Sequence, residues 1–158
     1  MKSVIGIDPG MSGALAYYDG KELLVYDMPY FEVSKGKFKR KVLDVRGLKK
    51  ILEEIPYGVY RPHVLIELVA TLPGNAASTM FSFGEGYGSL KATVILMDFA
   101  HTFIPPQVWK KSVGCTKDKD TSRLRASQLM PEHSHNWDRK KDDGRAEAAL
   151  IAWYGYNN

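Results

Sequence analysis

Cysteine is almost absent from this chain: Cys115 is the only one in 158 residues. That excludes an internal disulfide and any cysteine-rich zinc site, and no paired histidines at ligand spacing replace one. No apolar run approaches the roughly 20 residues of a membrane span. The first residues lack the charged-then-apolar order of a signal peptide, so the sequence reads as that of an intracellular protein. Internal repeats, low-complexity tracts and long linkers are missing too. No Ser, nor Cys115, stands at a recognisable spacing from a His–acid pair, which removes the usual nucleophilic triads. Gly84, Gly86 and Gly88 form a glycine-rich stretch, but no strand ends just before it and no Lys-Ser/Thr follows. A dinucleotide or P-loop site is therefore not indicated. The net charge is small, a formal +4 from 22 basic and 18 acidic residues. Its distribution is more telling, with basic clusters at 35–41, 49–50, 110–125 and 139–145. Such clusters suit a polyanionic partner, or simply a solvated surface.

What is present predicts a single domain, 1–158, long enough to bury a sizeable core. Val4 to Ile7 is a short, β-branched apolar run of the kind a buried strand needs, ending on Asp8 and stopped by Pro9-Gly10. Gly13 to Tyr18 reads as a second strand after a tight turn, and Glu22 to Met28 as a third in an antiparallel meander. Pro29 to Lys41 lacks clear periodicity and is expected to be a basic loop or frayed strand. Asp44 caps a helix whose Val45, Leu48, Leu52 and Ile55 share one face, before Pro56 and Gly58 end it. Pro62 to Glu67 is the next strand, and a right-handed crossover lays it parallel to the first. A long helix over 76–97, a short strand at Thr102–Ile104 and helices at 107–113 and 121–130 follow. An irregular crossing with His133, His135 and Trp137 leads to a final helix from Asp142 to Tyr154. The order predicts an α/β fold, a mixed sheet flanked by helices.

Three acidic points line up in this arrangement. Asp8 ends the first strand and Glu67 ends its expected parallel neighbour, so their carboxylates share one edge of the sheet. On the last helix, Asp143 and Glu147 are four apart and lie on one face, with Ala146, Ala149 and Leu150 expected against the sheet. Asp142 is about 100° from Asp143 around the helix and is expected mainly to cap it. Helix capping accounts for Asp142 and Asp143 but poorly for Glu147. Four carboxylates brought together form a hard, all-oxygen pocket suited to Mg²⁺ or Mn²⁺.

Ile-Gly-Ile-Asp8-Pro-Gly, Leu-Ile-Glu67 and an acid-rich last helix running Glu147-Ala-Ala-Leu-Ile-Ala resemble the RuvC-type Holliday junction resolvases. The likeness is to the compact versions found in bacteriophages and covers nearly the whole chain. It implies a ribonuclease-H-like fold with a five-stranded mixed sheet. It also implies that Asp8 bridges two divalent ions and that Glu67 supports one, with the last-helix acids completing the set. The bacterial pattern has two aspartates three apart before Ala-Leu. Here Glu147 matches the second, and either Asp142 or Asp143 the first, which leaves their division of roles open. Two ions about 4 Å apart can clamp the attacking water and the leaving 3′ oxygen of a phosphodiester.

Gln107-Val-Trp109-Lys110-Lys111-Ser-Val-Gly114 resembles the family's lysine-bearing segment, which implies Lys110 near the scissile phosphate. Lys111, Lys117, Lys119 and Arg123 are candidates for flanking phosphates, where they give affinity and register rather than sequence readout. Phe81 or Phe83 is a candidate for stacking on an unpaired base at a crossover, although aromatics at this spacing also suit a core. The resemblance implies a homodimer acting on four-way junction DNA in the cytoplasm of a bacterium or phage-infected host, with no membrane partner. A ribonuclease-H-like nuclease acting on other branched DNA or RNA–DNA hybrid shares all four acids. An actin-like nucleotide-binding domain also begins with Asp-x-Gly on a strand, but it needs two lobes and this chain is too short for both.

Overall fold

The computed structural model describes residues 2–70, 76–116 and 119–158. Seven strands and five α-helices are found among them: β1 (Val4–Asp8), β2 (Ala14–Tyr18), β3 (Leu23–Asp27), β4 (Tyr30–Lys35), β5 (Phe38–Leu43), α1 (Val45–Glu54), β6 (His63–Glu67), α2 (Ala77–Leu96), β7 (His101–Ile104), α3 (Pro106–Val113), α4 (Lys119–Leu129) and α5 (Asp143–Asn157). The main sheet has five strands in the order β3-β2-β1-β6-β7. β1, β2 and β3 pair antiparallel, while β6 and β7 join β1 in parallel. This is the expected mixed α/β sheet with flanking helices.

Strand alternation sorts the side chains into two layers. Ile5, Ile7, Leu15, Val64 and Ile66 point to one face, where Leu48 and Leu52 of α1 and Leu90 and Val94 of α2 cover them. Val4, Ala16, Tyr18 and Leu65 point to the other, with α5 as the central cover. Gly6 and Asp8 belong by the same alternation to the α5 side, as does Glu67. The half-buried carboxylates of Asp8 and Glu67 therefore face a helix that also carries acids.

α1 begins as expected. The Asp44 carboxylate accepts the backbone N–H groups of Arg46 and Gly47, and Leu48, Leu52 and Ile55 are buried. Val45 is the exception, left exposed in the first turn. Gly84, Gly86 and Gly88 lie inside α2 and form no loop.

Three departures from the sequence reading have physical reasons. Residues 30–43 form a regular hairpin and a second sheet of their own, because Gly36, with φ 61°, makes the two-residue turn between Lys35 and Phe38. Most of this hairpin is exposed, so no buried face imposes the period-two apolar signal that would have revealed it. Residues 131–137 form a 3-10 helix, fixed by buried Trp137, whose indole N–H donates to Ser127 Oγ at 2.9 Å. Finally, α5 is buried on more than the one stripe anticipated. An added Cβ on Gly6 would lie 2.3 Å from the Ala148 carbonyl oxygen and 2.4 Å from the Ala152 nitrogen. The line of closest approach to β1 thus runs through Ala148 and Ala152, while Ala146, Ala149 and Leu150 are buried in the wider core that α4 helps to form.

Candidate active site

The site sits where β1 and β6 end. Val4 to Ile7 pair in register with His63 to Ile66, so Asp8 and Glu67 follow side by side. The turn after β1 is tight: Gly13 N–H donates to the Gly10 carbonyl at 2.9 Å. α5 begins directly over it, and a Cβ on Gly144 would fall 2.2 Å from the Ser12 carbonyl oxygen. Glycine at 6 and 144 therefore lets α5 lie almost on the strand and its turn, which brings Glu147 over Asp8.

A cleft of about 360 Å³ opens there, lined by Asp8, Gly10, Ser12, Gly13, Lys141, Asp143, Gly144 and Glu147. Glu67 lies beside it, held from the other direction. The Trp109 indole N–H donates to Glu67 Oε2 at 2.8 Å, and the Tyr87 hydroxyl donates to the Glu67 carbonyl at 3.1 Å. Lys110 Nζ donates to Glu147 Oε1 at 3.0 Å, and Ser122 Oγ donates to the same oxygen at 3.0 Å. Arg123 Nε donates to Asp143 Oδ1 at 2.8 Å. The carboxylates of Glu67, Glu147 and Asp143 are thus steadied by side chains of α3 and α4.

The electrostatics follow from this crowding. Burial, then the charges of Glu147 and Glu67, push the Asp8 carboxyl up to about 7, against the opposing pull of the Gly10 N–H and Lys110. Glu67 is also raised, by burial first and by Glu147, although the Trp109 hydrogen bond opposes this. Burial alone would depress Lys110. Its hydrogen bond and charge contact with Glu147, backed by Glu67 and Asp8, hold it above the ordinary lysine value.

The structure therefore brings Asp8, Glu67, Glu147 and Lys110 into one interacting group, with Asp143 on the rim of the same cleft. Among the described residues no three His, Cys, Asp or Glu side chains stand close enough to hold an ion as they are. The donor set nonetheless fits a hard divalent cation in kind. It is all oxygen, and at Asp8 it carries more negative charge than one lysine offsets.

Other sequence candidates fall elsewhere. Lys111 is exposed on α3, and Phe81 is 73% exposed on α2, so Phe81 is not a core aromatic. Lys119 opens α4, and Lys117 lies outside the described residues. Arg123 turns inward to Asp143. Asp142 does not cap α5 with its side chain; it accepts both the backbone N–H and the guanidinium of Arg139 and closes the short turn before the helix. Sequence reasoning missed the roles of Trp109 and Ser122, whose partners are 42 and 25 positions away. It also gave no place to Lys141, which lay only within a noted basic cluster.

No protein-family model matches the chain. It is 31% identical over 150 residues to the chloroplastic Holliday junction resolvase MOC1 of Chlamydomonas reinhardtii, a match covering 81% of this chain and 17% of that protein. The chain thus spans only a small part of the length of that relative. RuvC of T. thermophilus, solved in complex with a Holliday junction substrate, superposes with a TM-score of 0.63 at 13% identity, over 100% of this chain and 97% of that one. The chain has a RuvC-like, ribonuclease-H-like fold. A second Thermus thermophilus RuvC structure gives a TM-score of 0.55 at 16% identity, covering 97% of this chain and 95% of that one. In this RuvC-like chain the five-stranded sheet and the helix across its acidic edge match the fold expected from the sequence motifs.

Proposed function

We propose that this chain is a metal-dependent, structure-selective DNA endonuclease. It resolves four-way junctions by hydrolysing phosphodiesters in pairs, one at each site of a homodimer. The observation that carries this reading is the crowding of Asp8, Glu67 and Glu147 against a single lysine, enough to push Asp8 up to about 7. Such a site repels a bare phosphate and accepts one readily once divalent cations neutralise it. The sequence likeness to a protein named as a Holliday junction resolvase supports the choice of substrate.

Asp8, Glu67, Asp143 and Glu147 would hold two Mg²⁺ or Mn²⁺ ions. Bound there, the ions supply an activated water and charge neutralisation at the phosphate. The protein's own part is positional. Trp109 fixes Glu67, Ser122 fixes Glu147, and the packing of α5 on β1 fixes the distance between the two elements. Lys110, whose charge reaches all three crowded carboxylates, is the cation placed to meet negative charge developing on the phosphate. Two sites related by two-fold symmetry suit a substrate of the same symmetry. Lys111, Lys117, Lys119 and Arg123 would serve flanking phosphates, and Phe81 an unpaired base. No helix among the described residues is long and apolar enough to cross a membrane, in keeping with action in the cytoplasm of a bacterium or phage-infected host.

The test is incubation with a synthetic four-way junction, a linear duplex and an RNA–DNA hybrid, with Mg²⁺, with Mn²⁺ and in excess EDTA. Paired nicks in the junction, dependent on metal, are expected. Equal cutting of the hybrid or of other branched DNA would shift the reading to a broader ribonuclease-H-like nuclease. Undiminished cutting in EDTA would end the metal mechanism.

A further inference from the structure

The β4–β5 hairpin is the largest feature of the chain that the site does not use. It carries Lys35, Lys37, Lys39, Arg40 and Lys41 against Glu32 alone. The whole chain has 22 basic and 18 acidic residues, so the remaining residues balance at 17 of each. All of the chain's formal net charge therefore resides on this one element.

Its position matters as much as its charge. Asp8 pairs with Ala14, and Ala14 with Asp27, so β3 ends on the same sheet edge as Asp8, roughly 10 Å away across two strand spacings. The hairpin springs directly from that edge. Met28 N–H donates to the Gly13 carbonyl at 3.1 Å, and Asp44 N–H to the Pro29 carbonyl at 2.9 Å, fixing both roots. Met11, from the turn after Asp8, lines one hollow together with Lys41, Val42 and Leu43.

The hairpin is also oriented. Arg40 donates to Ser82 Oγ and Glu85 Oε2 of α2, which turns that face of the ribbon toward the helix. Glu32 is opposite Lys41 and Ser34 opposite Lys39, so strand alternation puts Lys39 and Lys41 on the other face. There Lys41 Nζ sits 3.9 Å from the centroid of the Tyr30 ring. Lys37 occupies the turn. Both Lys37 and Lys39 are exposed, and neither forms an ion pair among the described residues.

We infer that this hairpin grips a duplex arm of the DNA substrate by its phosphate backbone, through Lys37 and Lys39 with Lys41 behind them. The inference rests on the nuclease reading for the identity of the substrate. Its physical basis is separate: an outward-facing cationic ribbon, anchored at its root beside the acidic cleft. Six residues of strand reach about 20 Å, which spans about six phosphates along one strand of duplex. The contacts expected are to backbone rather than base edges. Lysines present point charges on flexible stems, without the paired donors that read a base.

The test compares Lys37→Gln/Lys39→Gln with Lys49→Gln/Lys50→Gln. The second pair removes the same charge from α1, where both lysines are paired with Glu53 and Glu54. Both are made in an Asp8→Asn background so the DNA stays uncut, and thermal unfolding confirms that each is folded. Affinity for a four-way junction and for a 20-base-pair duplex is measured against NaCl concentration. The hairpin variant is expected to bind both probes at least ~10-fold more weakly at 0.1 M salt, with its log–log salt slope reduced by about 1.8. The α1 variant should retain the parental slope. An unchanged slope in the hairpin variant, or an equal loss in both variants, overturns the inference. The nuclease reading is judged separately, by cutting with the unmodified Asp8. If no cutting occurs but the hairpin-dependent slope persists, the clamp stands and the junction reading falls.

Discussion

At the scale of single residues, a carboxylate pushed up to about 7 is held against its own charge whenever the pH exceeds that value. Folded Asp8 keeps its proton at pH values where the unfolded chain, with an ordinary value of 3.8, has lost it. Proton binding therefore favours the fold fully below about pH 4, and this contribution is lost as pH rises through 7. Asp27 and Asp142 are lowered by their hydrogen bonds from Arg145 and Arg139. Their stabilisation is present above the unfolded value and is lost only in more acid solution, so it does not mask the window from 4 to 7. In EDTA at pH 8, Asp8→Asn should raise stability by roughly 2 kcal/mol after allowance for partial exposure, while abolishing cutting. Thermal melts of both proteins at pH 5 and pH 8 check this: the gap between them should shrink to less than half at pH 5. A variant no more stable than wild type at pH 8 would show that Asp8 is not under electrostatic stress.

The helix acids give a second contrast at this scale. Asp143 and Glu147 line the cleft, whereas Asp142 is 6% exposed and engaged with Arg139. Asp143→Asn and Glu147→Gln should each abolish single-turnover junction cutting at saturating metal. Asp142→Asn should keep most of the rate and lose about 1 kcal/mol of stability with its hydrogen bonds. An inactive Asp142→Asn beside an active Asp143→Asn would move the site to the other side of the helix.

At the scale of elements, the approach of α5 to β1 is what turns separated acids into a site. Gly6→Ala would force a Cβ against the backbone of Ala148 and Ala152, where neither neighbour can rotate away. α5 should move outward and carry Glu147 from Asp8, lowering stability by roughly 1–3 kcal/mol and raising the metal concentration needed for half-maximal cutting. Gly84→Ala is the counterpart. A Cβ there meets nothing within 4 Å in the middle of α2, so it should stabilise by about 0.5–1 kcal/mol. Circular-dichroism melts and a metal titration of cutting distinguish the two, and a neutral Gly6→Ala would mean that α5 is not fixed by this contact. The same elements show what a sequence can display. β1 and β6 were legible because both are apolar runs ending in acids, and the cap at Asp44 because its signal is local. The β4–β5 hairpin was not, since a ribbon exposed on most of its surface needs no alternating apolar face. Nor were the tethers from Trp109 to Glu67 and from Ser122 to Glu147, which join residues that only the closed fold brings together.

For the whole molecule, the acidic cleft should make stability depend on divalent metal. The free protein pays electrostatic strain at Asp8 and Glu67, and a cation bound only by the folded state relieves it. Such a ligand at about 100 times its dissociation constant stabilises by about 2.7 kcal/mol. For a chain of this size that corresponds to a rise in Tm of roughly 5–10 °C. The rise should be largest at pH 8, where Asp8 is ionised, and small at pH 5, where a proton already occupies it and competes with the metal. Asp8→Asn should show little rise at either pH, since its charge is gone. Differential scanning fluorimetry across an Mg²⁺ titration, with matched ionic strength so that screening is constant, reads this without any DNA. A Tm that climbs equally at both pH values, or equally in Asp8→Asn, would place the stabilising ion elsewhere on the molecule and leave the four carboxylates without the role proposed for them.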